Sequence, residues 1–191
     1  MVKLNKIYTR TGDGGSAGLV DGSRVSKAST RMAAIGEVDE ANCTIGMAIT
    51  LIGGDLAAAL TRIQNEMFDC GADIATPGGG DASGSEYALR IVARQVTRLE
   101  EEIDAMNASL SPLTSFILPG GSAAVAALHF ARGVVRRAER ATVALAASER
   151  VNPHALAYLN RLSDHLFVAA RSVAAGEGGD VLWQPGATRE N

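Results

Sequence analysis

Apolar residues recur three and four positions apart through most of this chain, and hardly any stretch alternates them every second position. That pattern admits helices and all but excludes an extended sheet. The first stripe is Ala34, Val38, Ala41, Ile45, Ala48 and Ile52, with Ser26 as a plausible N-cap and Gly53-Gly54 as the stop. A second, capped by Asp55, carries Leu56, Leu60, Ile63, Met67, Cys70 and Ile74 and ends before Pro77. The run Pro77-Gly78-Gly79-Gly80-Asp81 cannot stay helical, because proline lacks the N–H and glycine loses the most backbone entropy, so a mobile surface loop is expected. A third helix is predicted from Glu86 to Met106, with Leu89, Val92, Val96, Leu99 and Ile103 on its apolar face, followed by a connection from Asn107 to Pro119. The fourth runs from Ser122 to Ala147, and the fifth opens at Pro153 behind Asn152. The fold class that follows is all-α, a bundle of about five helices. Residues 1–25 form a polar opening and residues 176–191 a flexible, glycine-rich tail with the only tryptophan, Trp183.

At 191 residues the chain fits one domain with a real core. Lys and Arg total 18 against 21 Asp and Glu, a formal charge of -3, which removes the bulk attraction a general nucleic-acid binder needs. Any anion site must therefore be local. Cys43 and Cys70 lack metal-knuckle spacing and are expected to be buried free thiols, and His129, His154 and His165 show no ligand pattern, so no protein-held metal is expected. Met1 to Arg10 has no signal-peptide core, and no apolar run reaches the length of a membrane span. A cytoplasmic protein without a membrane partner is the expectation.

Two helices carry unusual polar stripes. Arg132, Arg136 and Arg140 lie four residues apart and share one face of the fourth helix, with Arg137 and Glu139 beside them. Such clustered guanidinium groups repel one another unless anions or carboxylates lie between them. A solvated face with ion pairs is one reading. The exclusive use of arginine, whose planar fork grips phosphate or carboxylate, supports the other. On the fifth helix Asn160 and Asp164 share a face inside an apolar stretch, where they need partners, either in a helix–helix hydrogen bond or on a ligand; arginine is the simplest partner for Asp164.

The opening Thr9-Arg10-Thr11-Gly12-Asp13-Gly14-Gly15-Ser16-Ala17-Gly18 gathers hydroxyls, a guanidinium and glycines. Its backbone N–H groups could converge on a phosphate, with Lys27 adding a charge, although no Walker ending follows. A plain flexible loop is the alternative. Asp39 reads as an exposed helical carboxylate and Phe116 as a core aromatic.

Taken together, Ile7 to Asp13, Arg24 to Lys27, Val38-Asp39-Glu40, Phe116 to Gly121, Arg136 to Arg140 and Tyr158 to Asp164 resemble the PduO-type ATP:cob(I)alamin adenosyltransferases, in order and over nearly the whole chain. The resemblance implies a homotrimer of five-helix bundles with active sites between subunits. One subunit would offer Thr9, Arg10, Thr11, Gly12, Ala17, Gly18 and Lys27 to ATP; the next would offer Arg136, Arg137, Glu139, Arg140 and Asn160. Magnesium (Mg2+) would ride on the triphosphate. Asp39 would bridge to Arg132 across the interface and shape the cobalamin site, while Phe116 would cover the lower face of the corrin and displace its axial base. A flavin-dependent reductase and a cobalamin-dependent acceptor enzyme are the implied partners. The alternative function is a non-catalytic nucleotide or cobalamin carrier. Where the family commonly has a lysine and a threonine in the opening loop, this chain has Gly14 and Ala17.

Overall fold

The computed structural model describes residues 7–78 and 89–189. Among the described residues five helices make up the bundle: α1 (Thr30–Ile49), α2 (Gly54–Ile74), α3 (Ala93–Asn107), α4 (Ala123–Ala146) and α5 (Pro153–Ala175). α1 packs on α2 and α4, and α5 packs on α4 and α3, so the order around the bundle is α2, α1, α4, α5, α3. Ahead of α1 stands a two-stranded hairpin that the helical periodicity does not announce. Its strands are β1 (Ser16–Gly18) and β2 (Arg24–Ser26), antiparallel with Ser16 opposite Ser26.

The helix starts show how local chemistry sets the boundaries. Ser122 Oγ accepts from Val125 N and Asn152 Oδ1 accepts from His154 N, so α4 and α5 begin where their caps predict. α1 begins later than expected: Ser29, not Ser26, is its cap and accepts from Met32 N, because Ser26 is drawn into β2. α2 enters through Gly53, with Gly54 at φ 65, a conformation that glycine adopts without steric penalty. Asp55 therefore lies in the first turn rather than at the cap.

The third helix is the main departure. Residues 79–88, which include most of the expected Pro77–Asp81 loop and the expected helix start at Glu86, lie outside the described part, but α3 itself starts only at Ala93, and Leu89 and Val92 are exposed instead of facing the core. The reason is the buried Asp73 at the end of α2. Its carboxylate accepts from Arg90 Nη1 (2.6 Å), Ile91 N (2.8 Å) and Asn152 Nδ2 (2.6 Å). These bonds hold residues 90 and 91 out of a helix and against α2 and the cap of α5.

The core is built from the expected stripes, with Tyr158 its largest fully buried side chain. The Tyr158 hydroxyl donates to Glu66 Oε2 at 2.8 Å, and Arg98 closes on the same carboxylate at 2.8 Å, so the buried hydroxyl and carboxylate are both paired. Burial, and then the Glu66 charge, hold the Tyr158 hydroxyl well above its ordinary pKa. Cys70 is buried as expected, but Cys43 is exposed. Among the described residues no helix is long and apolar enough to cross a membrane.

Candidate functional site

The opening loop is more ordered than a flexible lead-in. Arg24 on β2 donates through Nη2 to the carbonyls of Thr11 (2.8 Å) and Ser16 (3.1 Å) and to Ser16 Oγ (2.8 Å), folding the loop around one guanidinium. Thr9 and Thr11 share a hydroxyl hydrogen bond of 2.8 Å, and Arg10, at φ 62, lies over the Tyr8 ring. Lys27 N donates to Gly15 O, and the Lys27 ammonium passes so close to Gly12 that a Cβ there would meet Nζ at 3.1 Å. Gly12 thus leaves room for the lysine. Thr9, Arg10, Thr11, Gly12 and Lys27 accordingly share one exposed, cationic turn, with Ala17 and Gly18 on β1 beside it. Val20 N donates to Ala75 O and anchors this hairpin on the end of α2. Arg24, which organises the loop, is the residue that spacing alone does not single out.

On α4 the arginines divide between two jobs. Arg137 points to α1, where its guanidinium is held by Glu37 and Glu40. Those carboxylates hold the Arg137 pKa above its ordinary value, first through the Glu37 hydrogen bond. Arg136 and Arg140 point away from α1 and line a cavity of ≈ 290 Å³ with Glu139, Val143 and Asn160. Asn160 Nδ2 donates to Glu139 Oε1 at 2.9 Å, so the amide and the carboxylate fix each other at the edge of the arginine pair.

Arg136 also lines a second, larger cleft of ≈ 810 Å³. One side of it is aromatic: Phe116 and Trp183, with ring centroids 6.0 Å apart, and Phe167 on α5. The polar side holds Arg132, Arg136 and Asp164. Phe116 is 77% exposed, so it is a cleft residue and not the core aromatic that its residue type suggests. The Arg132 guanidinium lies over the Phe167 ring at 5.6 Å, while its Nε is buried with no hydrogen-bond partner in the described chain. Burial and then the Arg136 charge lower the Arg132 pKa, against an opposing pull from Asp164. Asp164 itself accepts from Arg161 Nη1 at 3.1 Å, the arginine pairing the sequence suggests.

The tail does not hang free of this cleft. Trp183 N donates to Phe116 O (2.8 Å), Ser115 Oγ donates to Trp183 O (2.8 Å) and Leu118 N donates to Val181 O (2.8 Å). Phe167 and Trp183 are aromatic cleft residues to which spacing alone assigns no role. Phe167 carried a signal, since it sits three positions after Asp164 on the same helical face.

Within one chain no described polar contact joins the two halves. No described hydrogen bond or ion pair joins the Thr9 to Lys27 turn to Arg136, Glu139, Arg140 or Asn160. Asp39 is exposed on α1, and no described contact links it to Arg132. Among the described residues no group of three His, Cys, Asp or Glu side chains could hold a metal ion.

Residues 7–173 match the family described as cobalamin adenosyltransferase. A relative from Cupriavidus metallidurans, named cobalamin adenosyltransferase, is 50% identical over 95% of this chain and 96% of its own length. A Bacillus subtilis corrinoid adenosyltransferase is 46% identical over 94% of this chain and 92% of its own. Among solved structures, a variant of the PduO-type ATP:corrinoid adenosyltransferase of Lactobacillus reuteri, complexed with cobalamin and ATP, superposes with a TM-score of 0.85. It is 38% identical and covers 94% of this chain and 99% of the other. With its five-helix bundle, its arginine-lined cavity and its adjoining aromatic cleft, this chain belongs to the cobalamin adenosyltransferase family.

Proposed function

We propose that this enzyme, a corrinoid adenosyltransferase, runs its reaction across the two adjoining cavities on α4 and α5, with Arg136 as their shared wall. The single observation that carries this is that Arg136 lines both the small arginine cavity and the large aromatic cleft. A nucleotide gripped by its phosphates in the first would present its sugar toward the second. The flat, apolar side of the larger cleft suits a corrin ring, as aromatic faces suit a planar ligand.

In this reading cob(I)alamin is a substrate. Its cobalt donates an electron pair that becomes the new cobalt–carbon bond to the 5′ carbon of ATP, while the carbon–oxygen bond breaks and triphosphate leaves with that bond's electron pair; the products are adenosylcobalamin and triphosphate. The cobalt is the nucleophile, so the chain contributes position and charge. Arg136 and Arg140 neutralise the phosphates, with magnesium carried on the triphosphate. Glu139 and Asn160 hold the edge of that cavity. Phe116 lies against the lower corrin face, where it excludes the axial base. Arg137 serves by fixing α1 against α4.

The chain works as a homotrimer, and the Thr9 to Lys27 turn of one subunit completes the arginine cavity of the next. What supports this is that each half is formed and cationic, yet no described hydrogen bond or ion pair joins the two within one chain. Asp39 then reaches Arg132 of the neighbouring subunit and supplies the carboxylate that its buried, unpaired Nε lacks. A flavin-dependent reductase supplies cobalt(I), a cobalamin-dependent enzyme takes the product, and the setting is the cytoplasm.

The test is to mix protein, ATP and chemically reduced cobalamin, following adenosylcobalamin by absorbance and triphosphate by ion chromatography. Arg136→Glu should abolish both signals while sedimentation still shows a folded trimer. Wild-type activity in that variant would remove the arginine wall from the mechanism. Binding of both ligands by the unaltered protein without triphosphate release would favour a carrier instead.

A further inference from the structure

Among the described residues, every hydrogen bond that ties residues 111–118 to a distant part of the chain ends on Arg171 or on residues 181–183. This is the segment that carries Phe116. Arg171, buried near the end of α5, donates through Nη2 to Ser111 O at 2.8 Å and through Nε to Asp180 Oδ2 at 3.0 Å. Its side chain is 8% exposed and that of Asp180 15%, so the pair is shielded from solvent on both sides.

The chain reaches this arrangement by a specific turn. After α5, Gly178 (φ 106) and Gly179 (φ 98) take left-handed conformations, and Gly179 N donates back to Ala174 O at 2.8 Å. The backbone is thereby reversed, which sets Asp180 on Arg171. Directly afterwards, Val181, Leu182 and Trp183 run antiparallel to Phe116, Ile117 and Leu118. One guanidinium therefore holds the loop at Ser111 and the tail at Asp180, just before the two pair with each other.

We propose that Arg171 is a positioning residue for the corrinoid cleft, setting the place of Phe116 and Trp183 through its joint hold on Ser111 and Asp180. This rests on reading the aromatic cleft as the corrinoid site. Arg171 acts from behind the cleft wall, since the cleft is lined by Phe116 and Trp183 and not by Arg171. The nucleotide cavity, made by Arg136, Glu139, Arg140 and Asn160, contains none of the clamped residues.

The experiment compares Arg171→Gln, Asp180→Asn and Asp180→Glu with the unaltered protein. Asp180 follows the last helix, so its variants leave the bundle's own packing in place, and circular dichroism checks this. Trp183 is the only tryptophan, so emission from the ligand-free protein reports the clamp directly. Loss of the clamp should shift that emission to the red and raise its quenching by acrylamide in Arg171→Gln and Asp180→Asn. KM for cob(I)alamin should rise about tenfold, as expected for one lost charge-assisted contact, while KM for ATP stays near the unaltered value. Asp180→Glu should recover most of both signals. Unchanged emission and unchanged corrinoid KM in the first two variants would overturn the proposal, and so would a parallel rise of both KM values. If the unaltered protein formed no adenosylcobalamin, the cleft reading would fail, and the emission comparison would still decide whether the clamp exists.

Discussion

Replacing Asp73 by asparagine isolates the contribution of one buried carboxylate to the bundle. The Asp73 side chain is 1% exposed and the Arg90 side chain 17%. Oδ1 accepts from Arg90, while Oδ2 accepts from Ile91 N and Asn152 Nδ2. Asparagine keeps the shape but has one oxygen and one NH2 group. Whichever way the amide turns, the NH2 meets a donor: Arg90 in one rotamer, Ile91 N and Asn152 in the other. The Arg90 charge also loses its counterion. Breaking a buried pair from one side costs about 3–5 kcal/mol. Arg90 keeps the carbonyls of Asp73 (3.0 Å) and Thr76 (3.2 Å), which places this case at the lower end, about 3 kcal/mol. For a chain of this size each kcal/mol moves Tm by roughly 2–4 °C, so a thermal melt followed by circular dichroism should show a drop of roughly 6–12 °C. A drop under about 2 °C would refute the reasoning, because the three donors would then have found equal partners without the carboxylate.

Gly12→Ala should raise KM for ATP several-fold and leave KM for cob(I)alamin unchanged, because the added methyl displaces the Lys27 ammonium lying 3.1 Å from that position; steady-state kinetics decides this. Arg137→Ala should lower Tm modestly at low salt and less at high salt, since its half-exposed pairing with Glu37 and Glu40 is screened, while Arg136→Ala should cost activity and hardly move Tm. His129 is held below its ordinary pKa, first by burial and then by the Arg132 charge, against a pull from Asp180. As pH falls the unfolded chain therefore takes up this proton before the folded one does. The stability contributed by neutral His129 is complete above about pH 6.5 and is lost below it, down to the lowered folded value. His129→Leu should accordingly flatten the fall in Tm between about pH 7 and pH 5, and an unchanged slope would exclude His129 as its source.

Helical periodicity by itself determined five helices and most of the core, because an amphipathic stripe must be buried whatever it packs against. Caps with side-chain oxygens placed the starts of α4 and α5 for the same local reason. Periodicity misled where a tertiary contact outbid it. Leu89 and Val92 continue the stripe of α3, yet Asp73, distant in sequence, captures Ile91 N and keeps the segment extended. Ser26 could cap a helix, but hairpin pairing claims it first.

The chemistry of the sites was legible as residue type: arginines four apart on α4, glycines and hydroxyls in the opening, and an amide and a carboxylate on α5. Their direction was not. Neighbouring Arg136 and Arg137 look equivalent in sequence, but a helix turns about 100° per residue, which sends one to the paired cavities and the other to the carboxylates of α1. Phe116 reads as a core residue because burial is the usual fate of a phenylalanine. Only the docking of the tail on residues 115–118 and the arrival of Phe167 from α5 give that ring a cleft to line, since these contacts join segments tens of residues apart, beyond the reach of any local pattern.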